Sequence, residues 1–225
     1  MIRLRRAADP SVARRTVWQA ASVLLSHPAP DLAEKLDLVE AAVGTLDEAY
    51  RAPFLGCVAH LRGLDPIGAA TEYAETFDWK RRRTPFLTYY TAGDTRNRGL
   101  ALLEFSDAYR AAGVLPPRAE LPDHLAVLLE FAATVDPESG YRLLARHRVP
   151  ITLLHVGLVK ASSAYAPVVA AVLLTLPAAT VDDTAAVHRL AFAGPPTESV
   201  GLEPFPIPLG MPNVMRSSTP TGRVR

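Results

Sequence analysis

Between Ile151 and Val181 the chain carries a single fully charged residue, Lys160, and so long an apolar run has only two possible settings. Either it crosses a bilayer, or it lies at the centre of a helical bundle whose other helices shield it from water. His155, Lys160, Ser162 and Ser163 interrupt the run with polar groups, and Pro167 and Pro177 break it into short pieces. It is therefore read as two core helices of a soluble bundle. No other stretch shows strand-like alternation of useful length, whereas apolar residues recur at three- and four-residue steps throughout. The expected fold is all-α, a single-domain bundle of about eight to ten helices.

Helix start and stop signals divide the rest. Residues 1–10 are basic and irregular and are expected to form a flexible N-terminus, after which Asp9 or Ser11 opens a helix with Trp18, Ala21 and Leu25 on one face. Arg14-Arg15 ahead of this apolar run imitates a twin-arginine export signal. His27, Pro28, Pro30 and Asp31 follow with no small-residue cleavage site, so the segment is read as the first helix of the domain and the protein as cytoplasmic. Asp31 caps a second helix carrying Leu32, Leu36 and Val39. A third runs from about Leu46 to Arg62, bent or split by Pro53, and a fourth from Pro66 to Phe77. The basic run Lys80, Arg81, Arg82, Arg83 then reads as a solvated helix end that complements the macrodipole, or as a docking patch for a partner.

Further on, Pro137 after Asp136 starts a helix to about Arg148, and Pro150 restarts the chain. Asp182-Asp183 caps a last helix through Ala193, closed by Gly194-Pro195-Pro196, so the helical domain is expected over residues 11–196. Pro204, Pro206, Pro208, Pro212 and Pro220 forbid regular structure beyond it. Residues 197–225 are expected to be an extended Pro-rich tail, disordered toward its end, with Phe205 and Ile207 touching the body.

The segment from Phe77 to Phe131 combines charges, aromatics and stop signals more densely than any other. Asp94 and Asp123 each stand where an N-cap belongs. After Asp94, Leu102, Phe105, Tyr109 and Ala112 line one face until Gly113 ends the helix; after Asp123, Leu125, Leu128, Leu129 and Ala132 repeat the pattern. Asp123, Val127 and Glu130 run along the neighbouring stripe, which places two carboxylates on one exposed ridge. Tyr89 and Tyr90 cannot both face the core from one helix, so one is expected at the surface.

The strings LTYYTAGDTRNRGLALL (Leu87 to Leu103) and ELPDHLAVLLEF (Glu120 to Phe131) closely resemble the NarJ-type chaperones that assemble respiratory nitrate reductase, within the TorD-like helical chaperone group. Weaker resemblance extends through most of residues 15–205. Two departures stand out: Ala126 occupies a position where the family has proline, and Pro85 one where it usually does not. The resemblance implies a TorD-like fold and a cytoplasmic chaperone that is no part of the finished enzyme. Its partner would be the catalytic (alpha) subunit of nitrate reductase, held through that subunit's N-terminus and a second site while bis-molybdopterin guanine dinucleotide is inserted. The chaperone itself would hold no permanent cofactor.

Clients of this family offer an N-terminal segment that combines basic residues with an apolar, helix-like stretch. A receiver needs aromatic surface for the one and carboxylates for the other. Phe86, Leu87, Tyr89 and Tyr90 suit the first need and Asp123 and Glu130 the second, with Asp94, Arg96, Arg98 and His124 completing the expected client-peptide surface. Such a groove binds at roughly micromolar strength, about 8 kcal/mol, enough to hold and still release.

Other classes find little support. A net charge of +1 gives no global attraction to nucleic acid or anionic lipid. Cys57 is alone, which excludes an internal disulfide and a cysteine metal cluster. No two of His27, His60, His124, His147, His155 and His188 are four apart, so no metal is expected, and no glycine-rich phosphate loop follows a strand. An enzyme would have to use Asp123, His124 and Glu130. His124 and Glu130 diverge by about 240° around a helix and no nucleophile motif accompanies them. The chain is thus read as a binding protein, a chaperone or else a scaffold that stays in its complex.

Overall fold

The computed structural model describes residues 10–116 and 120–196. Among these residues the chain forms eleven α-helices and no strand, a helical bundle of the expected class. They are α1 (Pro10–Leu24), α2 (Leu32–Val43), α3 (Glu48–Arg62), α4 (Pro66–Tyr73), α5 (Leu87–Ala92), α6 (Arg96–Ala111), α7 (Leu125–Thr134), α8 (Pro137–Arg146), α9 (Arg148–Lys160), α10 (Ala166–Leu174) and α11 (Val181–Ala193). A π turn, Ala74–Asp78, and a 3-10 turn, Arg81–Arg83, lead from α4 to α5. The count exceeds the expectation because α5 is a separate six-residue helix; α8 and α9 part at His147, three residues before the expected restart at Pro150. Pro150 lies in the first turn of α9, where its missing N–H would have had no helical acceptor. Pro53 leaves α3 undivided. The expectations for residues 1–9 and for the Pro-rich tail, including Phe205 and Ile207, lie outside the described residues.

α1 packs on α7, α2, α10 and α3 and buries Val17, Trp18, Ala21 and Leu24. The Trp18 indole N–H donates to Thr175 Oγ1 at 2.9 Å, so the largest core side chain keeps its polar end satisfied. Arg14 and Arg15 are struts of this packing: the Arg14 guanidinium lies 4.7 Å from the Tyr141 ring centroid and 5.1 Å from that of Trp18, and Arg15 Nε donates to the Ala133 carbonyl at 2.7 Å. α7 and α8 meet at backbone distance. A Cβ on Gly140 would stand 2.4 Å from Ala132 Cα, which is why the position is glycine.

The apolar run divides into α9 and α10 at a turn where Ser162 takes φ 52. Leu154, Leu158, Val168, Val169 and Val172 are fully buried, and α9 touches α8, α10, α11, α5 and the 3-10 turn. Among the described residues no helix is long and apolar enough to cross a membrane. α11, by contrast, rides on the outside of α9 with no buried residue, started by a capping box between Thr180 and Asp183.

Candidate functional site

The chain enters α5 through Pro85 and Phe86, whose side chains hold no oxygen that could satisfy the first N–H groups of the helix. The acceptor comes from across the fold. Asp123 Oδ2 accepts from the Thr88 N–H at 3.0 Å and from the Thr88 hydroxyl at 2.6 Å. Two backbone bonds close the junction: Leu125 N–H to the Pro85 carbonyl at 2.9 Å, and Leu87 N–H to the Asp123 carbonyl at 3.2 Å, an antiparallel bridge between Phe86 and His124. Pro85 thus serves as acceptor only, a role its missing N–H does not impair.

Asp123 is therefore not the cap of its own helix and not on an exposed ridge; it is 0% exposed. The cap of α7 is His124, whose Nδ1 accepts from the Ala126 N–H at 3.2 Å, a donor that a proline at 126 would lack. Burial pushes the His124 imidazole down from 6.5 to about 4, in keeping with a neutral ring that accepts at Nδ1. Asp94 also caps nothing. Gly93, at φ 61, turns the chain ahead of it, Thr95 is the residue before α6, and Asp94 pairs instead with Arg98 at 3.4 Å.

Leu87, Tyr89 and Tyr90 are all buried, contrary to the expectation that one tyrosine faces water. α5 is short and wedged between α6 and α9, so its opposite sides are both covered. The Tyr90 hydroxyl donates inward, to the Thr84 carbonyl at 2.9 Å. What the fold does bring together is Phe86, Tyr89, Asp94 and Arg98, which line a recess of 150 Å³ with Asp78, Arg81 and Thr84. The Arg98 guanidinium stands 5.6 Å from the Phe86 ring and 5.9 Å from the Tyr89 ring, and its Nε donates to Thr88 Oγ1 at 3.3 Å. Thr88 links this recess to the buried carboxylate of Asp123, so the recess floor is held from behind.

The remaining expected residues lie elsewhere. Arg96 is exposed at the first position of α6, outside the recess lining. Glu130 is exposed on α7 and borders a second recess, of 160 Å³, with Tyr109, Leu115, Val127 and Phe131. Asp123, His124 and Glu130 accordingly do not converge on a reacting group: the first is bonded to Thr88, the second to the start of α7, and the third faces another cavity. Among the described residues no set of three or more His, Cys, Asp or Glu side chains is arranged to hold a metal ion. The Cys57 thiol is buried, which pushes it up to about 12 and leaves it protonated.

Sequence reasoning missed Asp78 and Thr88, and it placed Arg81 in the basic run rather than at this recess. A signal for Thr88 exists: a helix preceded by Pro-Phe has no local cap, so an acceptor must arrive from another segment, and the Asp123 carboxylate can supply it. Asp78 and Arg81 carry no such signal: Asp78 ends the π turn and Arg81 opens the 3-10 turn, and their meeting is set by the packing of the two turns on each other and of the 3-10 turn on α9.

Residues 34–171, more than half of the chain, match the nitrate reductase delta subunit family, a span that runs from α2 into α10 and includes the whole recess. The nitrate reductase-like protein NarX of Mycobacterium tuberculosis (strain ATCC 25618 / H37Rv) is 51% identical over 160 residues, 71% of this chain. The chain spans 24% of that relative's own length. The probable nitrate reductase molybdenum cofactor assembly chaperone NarJ of Bacillus subtilis (strain 168) is 29% identical over 164 residues, 72% of this chain and 89% of the relative. The nitrate reductase molybdenum cofactor assembly chaperone NarJ of Escherichia coli (strain K12) is 30% identical over 131 residues, 58% of this chain and 55% of the relative.

Proposed function

Since the chain belongs to the nitrate reductase delta subunit family, we propose that it is a cytoplasmic chaperone which binds the catalytic subunit of a respiratory nitrate reductase before the molybdenum cofactor is in place. The supporting observation is the recess of Phe86, Tyr89, Asp78 and Asp94, which offers aromatic floor and carboxylate rim at one point. An N-terminal client segment that is basic and apolar would lay an apolar side chain on Phe86 and Tyr89 and present its cations to Asp78 and Asp94. Asp94 is half-exposed and shared with Arg98, so an incoming cation displaces one partner rather than stripping a bare carboxylate of water. Binding of roughly micromolar strength suits a client that must be released.

Glu130 and the recess it borders supply the second contact with the folded part of the client. Bis-molybdopterin guanine dinucleotide is the client's cargo in this reading, and the chaperone leaves once it has entered. A scaffold would instead remain, so the chain's presence in purified mature enzyme would overturn release.

The test is calorimetric titration of a peptide matching the client's N-terminus. Phe86→Ala and Asp94→Asn should each weaken binding about tenfold or more, with the Asp94 effect shrinking as salt rises. Glu130→Gln should leave peptide affinity unchanged and weaken capture of the full-length apo-subunit, whose molybdenum content is measured in parallel. Equal peptide affinity for wild type, Phe86→Ala and Asp94→Asn would remove the recess from client binding.

A further inference from the structure

The 3-10 turn Arg81–Arg83 lies directly across α9, and Gly157 is what lets it do so: a Cβ there would stand 2.6 Å from the Arg82 carbonyl oxygen. Two neighbouring recesses result, both bordered by Arg81, Arg82, Gly157 and Lys160. The inner one, of 70 Å³, is closed by apolar groups of Leu153, Val156 and Leu190 and by the Tyr90 ring. The outer one, of 350 Å³, opens beside Trp79, which is 68% exposed, and Lys80. Among the described residues neither is lined by a carboxylate.

The cations here are poorly neutralised. Arg81 reaches Asp94 only at 4.0 Å, Arg83 is turned to the Glu75 carbonyl at 3.1 Å, and among the described residues Lys80, Arg82 and Lys160 form no ion pair. Like charges packed on one turn repel, and the field they sum to at a concave, apolar-walled opening favours an anion. An exposed tryptophan at the rim adds a large contact face that water solvates poorly.

We propose that this groove docks an acidic segment of a partner polypeptide, with one of its apolar side chains in the inner recess and its carboxylates against Lys80, Arg82 and Lys160. Charge complementarity sets the sign of the partner, and the recess sets its kind. A membrane presents headgroups in a plane and cannot deliver one apolar side chain into a hollow closed behind the cations by α9 and α11, whereas an extended peptide can. Among the described residues the charged groups lining the groove are cations alone, whereas the other recess sets Asp78 and Asp94 beside Arg81 and Arg98, so the groove takes a different segment from the basic one assigned to that recess. It does not depend on that assignment.

The chain holds two tryptophans, Trp18 in the core and Trp79 at this rim, so a change in emission on binding reports the groove. The probe is a synthetic peptide of about ten residues with one phenylalanine and one leucine among glutamates, titrated into the full chain. A blue shift is expected, with affinity that falls as salt rises and about tenfold or more in Arg82→Glu/Lys160→Glu, both exposed positions. Far-ultraviolet circular dichroism and melting verify that this variant is folded; should it melt early, Lys160→Gln alone carries the test, with an expected loss of about threefold. Replacing the two apolar residues of the peptide by serine should weaken binding about tenfold. No shift with the acidic peptide, equal binding of the serine version, or a shift only with phosphatidylglycerol vesicles would each overturn the proposal.

Discussion

Replacing Asp123 by alanine deletes the acceptor that both donors of the fully buried Thr88 depend on. A buried donor left without a partner costs about 1–3 kcal/mol, so two such donors put the loss at roughly 2–6 kcal/mol. Part is returned, because the second carboxylate oxygen, Oδ1, is buried without a hydrogen-bond partner and its desolvation is relieved on deletion. A net loss of about 3 kcal/mol is expected, a large share of the ~5–15 kcal/mol that holds a typical domain. Asparagine keeps an oxygen where Oδ2 stands and gives up only the charge assistance of the two bonds, so Asp123→Asn should cost about 1 kcal/mol. Thr88→Val removes the hydroxyl donor alone, and a double-mutant cycle between it and Asp123→Asn isolates the charge-assisted hydroxyl bond, with an expected coupling near ~1 kcal/mol. The assay is urea unfolding followed by circular dichroism at 222 nm (the ~helix band) near neutral pH. Equal losses for alanine and asparagine would refute the argument, since charge rather than the acceptor would then matter, and strict additivity in the cycle would show that the two side chains do not act together.

The buried His124 sets an acid dependence. Its value falls from 6.5 unfolded to about 4 in the fold, so the unfolded chain binds more protons between those limits. Stability from this group is fully present above 6.5 and is lost as pH falls toward 4, by at most about 3 kcal/mol. His147 and His155, also pushed down by burial, add in the same direction. His124→Asn keeps an acceptor for the Ala126 N–H and should flatten the slope of stability against pH across that window; an unchanged slope would refute the assignment. Gly140→Ala, by contrast, should lower stability by about 1–3 kcal/mol at every pH, because its Cβ meets the Ala132 backbone and α8 must move away from α7. A melting temperature equal to wild type would show that the helices can part freely.

Most of the helices and the core were legible from local pattern, because the information that makes them is local. An apolar residue every three or four positions faces inward whatever it meets, as Trp18, Ala21 and Leu25 do, and Asp136 before Pro137 caps the helix that follows it, accepting from Ser139 N–H at 3.0 Å. The paired strings that carry the family likeness were equally visible, and the fold does join them. What sequence spacing could not decide was which group each polar side chain meets. Asp123 looked like the cap of its own helix because an aspartate before an apolar run satisfies that rule. Its partner is Thr88, 35 residues earlier, and only the docking of α5 against the start of α7 made that choice. Tyr89 and Tyr90 diverge on a helical wheel, yet both are buried, since a short helix covered on two sides has no solvent face to give to either. Glu130, one ridge from Asp123 by spacing, faces a different cavity, while Asp78 joins Asp94 from a π turn that no motif announces. Periodicity states which face of a helix is dry. Which carboxylate stays in water and which is drawn inside depends on long-range contacts, and those exist only once the helices have packed.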